Sequence, residues 1–182
     1  MNMKRIFVII PMLLAVVAAF GQAEKTDRQK PVIARRIMAR IEAGAANENK
    51  GFSMYSFGAK LGYEVLPRLC AFALYEGQTG LYEKDGAEGI CHSEIVGGGV
   101  GYSIYKASGQ AGDKVSIECR AMMGASVGNS DLSQTVYEAG VVVKLGTGTV
   151  TPTVGLAFRH TSMHTQGADN YNGLMATIGF GL

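Results

Sequence analysis

His160 and Ser162 stand two apart near the end of the chain, within Arg159-His160-Thr161-Ser162. On an extended strand, residues two apart share a face, so an imidazole and a hydroxyl lie side by side. Such a pair can act as base and nucleophile in ester hydrolysis. The plainer reading of the same residues is an interfacial imidazole and a serine that opens a loop. His92 and His164 lie in or beside polar loops, but no spacing joins them to His160 as metal ligands.

A second set of chemical groups is charged. Arg40, Glu42, Lys60, Glu118, Arg120, Glu138, Lys144 and Arg159 fall on the polar faces of successive alternating segments. Ionised groups enclosed together must be paired or hydrated. Their mixed signs allow a salt-bridged plug, with an ion pathway as the other use. Cys70, Cys91 and Cys119 are odd in number and show no C-x-x-C spacing, so the expectation is free thiols used as small apolar side chains.

The elements that must hold these groups are strands. From Val115 to Val127 the residues Val115, Ile117, Cys119, Ala121, Met123, Ala125 and Val127 alternate with Ser116, Glu118, Arg120, Met122, Gly124 and Ser126. That is a period of two with one apolar face. The same pattern predicts strands over Phe52–Val65, Glu94–Tyr105, Thr135–Leu145, Val150–Arg159 and the last residues to Leu182. Arg68–Glu76 reads as a strand whose faces stay unassigned, because Cys70, Phe72 and Leu74 compete with Leu69, Ala71, Ala73 and Tyr75. Proline is tolerated near a strand start, which places Pro152 there.

Between the strands, Gly77–Cys91, Gly128–Ser133 and Ser162–Asn170 read as polar loops, Ala107–Gly112 as a turn and Gly146-Thr147-Gly148 as a tight hairpin. Val32–Gly44 is ambiguous. Ile33, Ile37 and Ile41 repeat every four residues, as on a helix, while Ile37, Ala39, Ile41 and Ala43 also alternate with Met38, Arg40, Glu42 and Gly44. Seven strands follow from Phe52, and a barrel with both ends on one rim needs an even number. A strand over Ile37–Ala45 supplies the eighth.

The fold class expected is therefore all-β, an eight-stranded antiparallel up-and-down transmembrane β-barrel. Strands of about ten residues suit a bilayer when tilted, and glycine and serine on the polar faces suit a narrow interior. A soluble secreted β-sandwich, with the apolar faces as its core, is the alternative. A pore is disfavoured, because eight strands leave an interior filled by side chains.

Residues 1–23 read as a secretory signal peptide. Lys4 and Arg5 precede an apolar run to Phe20, and Gly21-Gln22-Ala23 suits cleavage before Glu24. Removing the two leader charges from 17 basic residues leaves as many bases as the 15 acids. A neutral domain over 24–182 argues against nucleic acid as a partner. No cofactor is expected.

With its leader, alternating strands and apolar terminal strand, the chain resembles the small outer-membrane β-barrel proteins of diderm bacteria. The resemblance implies an outer-membrane location and contact with membrane lipid and lipopolysaccharide. It also implies handling by the barrel-assembly machinery through the C-terminal strand. Such proteins usually end in an aromatic residue; here Leu182 is last and Phe180 precedes it by two. Most of them catalyse nothing, so the first expectation is a structural or surface role with an unnamed ligand. The His-x-Ser run is similar to that of lipid A 3-O-deacylases, which implies an ester hydrolase using His160 and Ser162. That family usually has asparagine where this chain has Met163, and a later glutamate that orients the histidine, for which Asp169 is the acid available here.

Overall fold

The computed structural model describes residues 37–49, 52–84, 87–106, 115–146, 150–166 and 168–182, without the side chains of 83–84, 87–88 and 106. The leader, its cleavage point, the turn at 107–112 and Thr147-Gly148 lie outside them. Eight strands follow one another: β1 (Ile37–Asn49), β2 (Phe52–Leu66), β3 (Leu69–Lys84), β4 (Ala87–Lys106), β5 (Val115–Val127), β6 (Gln134–Leu145), β7 (Thr151–Met163) and β8 (Tyr171–Gly181). Each pairs antiparallel with the next, and β1 pairs with β8 to close the barrel.

Closure settles Ile37–Ala45 as strand rather than helix. Ile41 pairs with Ala59 on one side and Phe180 on the other, so β1 is the stave that joins the two ends of the sheet. The amide of Leu182 donates to the Ala39 carbonyl at 2.8 Å, which ties the terminal residue into the same seam.

The alternation decides what lies inside. On β5, Glu118 and Arg120 are buried while Met123 is 58 % exposed. The same holds around the barrel, with Phe57, Leu61, Val100, Leu156, Phe158, Leu174 and Ile178 all exposed on the outside. The β-sandwich alternative is thereby corrected. A sandwich buries its apolar faces against each other, whereas here the polar faces of all eight strands enclose a common interior. A small apolar cluster remains inside, made of Met38, Phe72, Leu74, Ile95, Met122 and Val136.

Gly77–Cys91, expected as a loop, is instead the far end of a long hairpin. Pairing continues from Gly77↔Glu94 to Lys84↔Ala87. Its polar and glycine-rich composition hid an alternation in which Gln78 points inward and Leu81 outward. Strand β7 likewise runs on to Met163, so Ser162 lies within a strand rather than opening a loop. Pro152 is the second residue of β7, where a missing amide hydrogen costs little.

The ends of the staves form two rims. Ile37, Leu182 and the β2–β3 turn lie on one, called here the terminal rim; the β5–β6 and β7–β8 connections lie on the other. The β2–β3 turn is tight, with Arg68 at φ 74°. Pro67 before it sets the first turn dihedral, and the Arg68 amide donates to Glu64 Oε1 at 2.8 Å.

Candidate functional site

The lumen holds a continuous ladder of ion pairs. It begins near the terminal rim, where Lys144 Nζ lies 3.0 Å from Glu118 Oε2. Glu118 also takes a two-point bond from Arg40, at 3.0 Å from Nη1 and 2.8 Å from Nη2. Arg40 sits on β1 and Glu118 on β5, four staves apart, so the pair crosses the full width of the barrel. The next crossing joins the same two strands in reverse, Arg120 Nη1 reaching Glu42 Oε1 at 2.7 Å and Oε2 at 2.8 Å. Lys60 donates to Glu42 from the side.

From there the ladder turns to the other strands. Arg120 Nη2 donates to Glu138 Oε1 at 3.1 Å. Arg159, the direct cross-strand neighbour of Glu138, binds that carboxylate through Nε at 2.9 Å and Nη2 at 2.5 Å. Its remaining reach goes across the lumen to Glu76 on β3, at 2.6 and 3.1 Å. Gln78 Nε2 then donates to Glu76 Oε1 at 2.8 Å, and Gln134 Nε2 to Gln78 Oε1 at 2.7 Å, which carries the chain of bonds toward the opposite rim.

All eight residues singled out in the sequence are joined here. Arg40, Glu42, Lys60, Glu118, Arg120, Glu138 and Arg159 are each no more than 6 % exposed. Lys144, whose side chain is 26 % exposed, meets solvent at the terminal mouth. Glu76 was missed. Its place depended on the parity of β3, which competing apolar residues obscured; extending the strand through Gln78 and Gly80 would have put Glu76 on the inner face. Glycine makes the room. At Gly101, the cross-strand neighbour of Arg120, a Cβ would fall 2.8 Å from Glu118 Oε1.

Burying ions is costly unless each is paired. Here every carboxylate of the ladder receives at least two donors, and the arginines share them. The space left beside Glu42, Ser56, Lys60, Glu76 and Arg120 is about 10 Å³, roughly what a single water needs. Arg40 Nε and Arg120 Nε are buried without a protein partner. The arrangement fills this part of the lumen with paired side chains and ties opposite staves together.

His160 and Ser162 do share the outer face of β7, but no hydrogen bond joins them among the described residues. His160 Nδ1 lies 2.6 Å from Asn172 Oδ1 on β8, and its ring stacks on Tyr137 with centroids 6.1 Å apart. A carboxamide oxygen only accepts, so Nδ1 is the donor in this bond. The residue that orients the imidazole is therefore Asn172, not Asp169. His92 Nδ1 pairs with Thr79 Oγ1 at 3.2 Å and His164 Nε2 with Thr135 Oγ1 at 3.0 Å. Among the described residues no three His, Cys, Asp or Glu side chains cluster as metal ligands. Cys70, Cys91 and Cys119 are free thiols, the first two facing inward and the last exposed on the apolar face.

No protein-family model and no curated protein matches the chain. Among solved structures it is similar to a de novo designed transmembrane β-barrel, at 17% identity and a TM-score of 0.44, covering 84% of this chain and 96% of that one. It is also similar to the N-terminal β-barrel domain of Pseudomonas aeruginosa OprF, at 15% identity and a TM-score of 0.42, over 79% and 95% of the two chains. A third is the transport unit of the autotransporter AIDA-I from Escherichia coli, at 11% identity and a TM-score of 0.34, over 87% and 91%. What this chain does rests on its own side chains.

Proposed function

We propose that the chain is a non-enzymatic barrel of a diderm outer membrane, exported by a cleaved leader, with a structural or surface-interaction role. The observation that carries this reading is the inversion of polarity. A belt of exposed Phe, Leu, Ile, Val and Tyr surrounds a packed, ion-paired interior. Soluble monomers rarely expose a contiguous apolar patch of more than a few hundred Å², whereas a bilayer is the solvent that such a belt matches. Closure leaves no unpaired sheet edge facing lipid, as a membrane demands. The lipid belt is the contact for membrane lipid and lipopolysaccharide, and β8, with Phe180 near its end and Leu182 just after it, is the segment offered to the assembly machinery.

Fractionation tests the location. The full chain should remain with outer membranes and migrate on gels at different positions before and after boiling. Release with the periplasmic fraction, with migration indifferent to heating, would rule the reading out.

A second reading is favoured by one contact. The His160–Asn172 bond orients the imidazole on the face that Ser162 shares, which suits hydrolysis of an acyl ester in the adjoining leaflet. Lipid A from cells with and without the protein decides it by mass spectrometry. Loss of one hydroxyacyl chain, abolished by Ser162→Ala and reduced by Asn172→Leu, establishes the hydrolase; unchanged lipid A with the folded barrel present removes it.

A further inference from the structure

Two sulfur atoms meet inside the terminal mouth of the lumen. Cys70 is the second residue of β3 and Met38 the second of β1, and both point inward. Strand β2 runs between them, yet Cys70 Sγ lies 4.0 Å from Met38 Sδ. The residue that permits this is Gly62 on β2, the cross-strand partner of Met38. A Cβ at Gly62 would fall 2.9 Å from Cys70 Sγ and 2.9 Å from Met38 Cε. Met38 is 8 % exposed, and Cys70 is half-buried, so the pair is reached from the terminal mouth.

A thiolate and a thioether are soft donors, which select ions such as Cu(I) over the hard cations that oxygen ligands hold. Metal–thiolate bonds are about 2.3 Å long, so two sulfurs on one ion stand at most about 4.6 Å apart. The separation found here lies inside that limit and asks for little movement. Binding replaces the thiol hydrogen: the S–H bond breaks, an S–metal bond forms and one proton leaves to water. A monovalent ion therefore leaves the charge of the mouth unchanged. That matters because Arg40 Nη2 lies 3.0 Å from Met38 Sδ. Arg40 gives up that contact and keeps both of its bonds to Glu118.

We propose that Cys70 and Met38 form a binding site for one soft monovalent metal ion, of the Cu(I) or Ag(I) class, at the terminal end of the barrel. Other thiols provide internal controls. Cys119 faces the apolar exterior, and Cys91 is buried toward the opposite rim against the Gly80 carbonyl. Among the described residues neither is hydrogen-bonded to a second sulfur.

The test uses the full chain folded in detergent, reduced, and titrated with Ag(I), which has no redox step. Thiol alkylation followed by peptide mass spectrometry reports which cysteine the ion protects. The first equivalent should protect Cys70 while Cys91 and Cys119 still react. Met38→Leu, which keeps the volume, should weaken that protection by about tenfold or more, since even outer-shell changes at metal sites cost about that much. Cys91→Ala and Cys119→Ala should leave it unchanged. Equal protection in Met38→Leu, or earlier protection of Cys91 or Cys119, overturns the proposal. Should Met38→Leu fail to fold by its gel shift, silver-edge X-ray absorption of the unmodified protein decides. Two sulfur neighbours support the site, and one overturns it.

Discussion

Arg159 and Glu76 sit on strands that face each other across the lumen and are joined at two points, 2.6 Å and 3.1 Å. Because Arg159 also holds Glu138, its 1 % exposed side chain is the junction between the upper and lower parts of the ladder. Replacing it by methionine leaves buried Glu76 with only the neutral donor Gln78 and buried Glu138 with Arg120 alone, among the described residues. Arg159→Met should lower the unfolding free energy in detergent or lipid by about 3–5 kcal/mol, read as a shift of the urea midpoint. A loss below about 1 kcal/mol would mean that water reaches the site.

The pair can also be dissected. Glu76→Gln alone should cost less than Arg159→Met, because Gln78 and the retained carbonyl still satisfy part of the site. In the double variant the two losses should not add, leaving a coupling of roughly 0.5–3 kcal/mol between contacting groups. Strict additivity contradicts the contact.

Gly101 is a steric prediction. A methyl group there meets the Glu118 carboxylate at 2.8 Å, and Glu118 is held by Arg40 and Lys144, so it has nowhere convenient to move. Gly101→Ala should destabilise by about 1–3 kcal/mol in the same unfolding assay. The change is expected to be smaller at Gly77, where the nearest atom would be 3.8 Å away.

The seam between β1 and β8 is closed by side chains beyond its last backbone pair, Ala46↔Met175. Asn47 Oδ1 accepts the Leu174 amide at 2.7 Å, and Asn49 Nδ2 donates to the Asn172 carbonyl at 2.5 Å. Asn47→Ala should accelerate hydrogen exchange at Leu174 while leaving Ala176 protected, at a stability cost of about 0.5–1.5 kcal/mol. Unchanged exchange at Leu174 would show that this amide is covered by something else.

Much of this architecture is legible in the sequence because one physical rule repeats. A period of two with charges on one face and branched or aromatic residues on the other assigns inside and outside wherever the alternation is clean, as from Val115 to Val127. It fails where both faces are apolar, as from Leu69 to Tyr75, and that failure hid Glu76. It also fails where both faces turn small or polar, which made a loop of the hairpin end at Gly77–Cys91. The pairs that cross the lumen are not legible. Arg40 faces Lys60 directly in the register, yet Lys60 turns to Glu42, its diagonal neighbour on β1, while Arg40 reaches Glu118 on β5, four staves away and brought near only by closure. The partner of His160 was out of reach because it is set by the register of β7 against β8, in which His160 faces Asn172.

The central claim is that alternate residues of each stave meet lipid and a packed lumen. Single cysteines placed at each position from Leu174 to Phe180, with the native cysteines replaced by serine, test it most directly. Each would carry an environment-sensitive fluorophore, with quenching by nitroxide-labelled lipid tails as the readout in reconstituted vesicles. The account predicts strong quenching at 174, 176, 178 and 180 and little at 175, 177 and 179, following the exposure of Leu174, Ile178 and Phe180 and the burial of Met175 and Thr177. Quenching without a period of two, or confined to the odd positions, would contradict it.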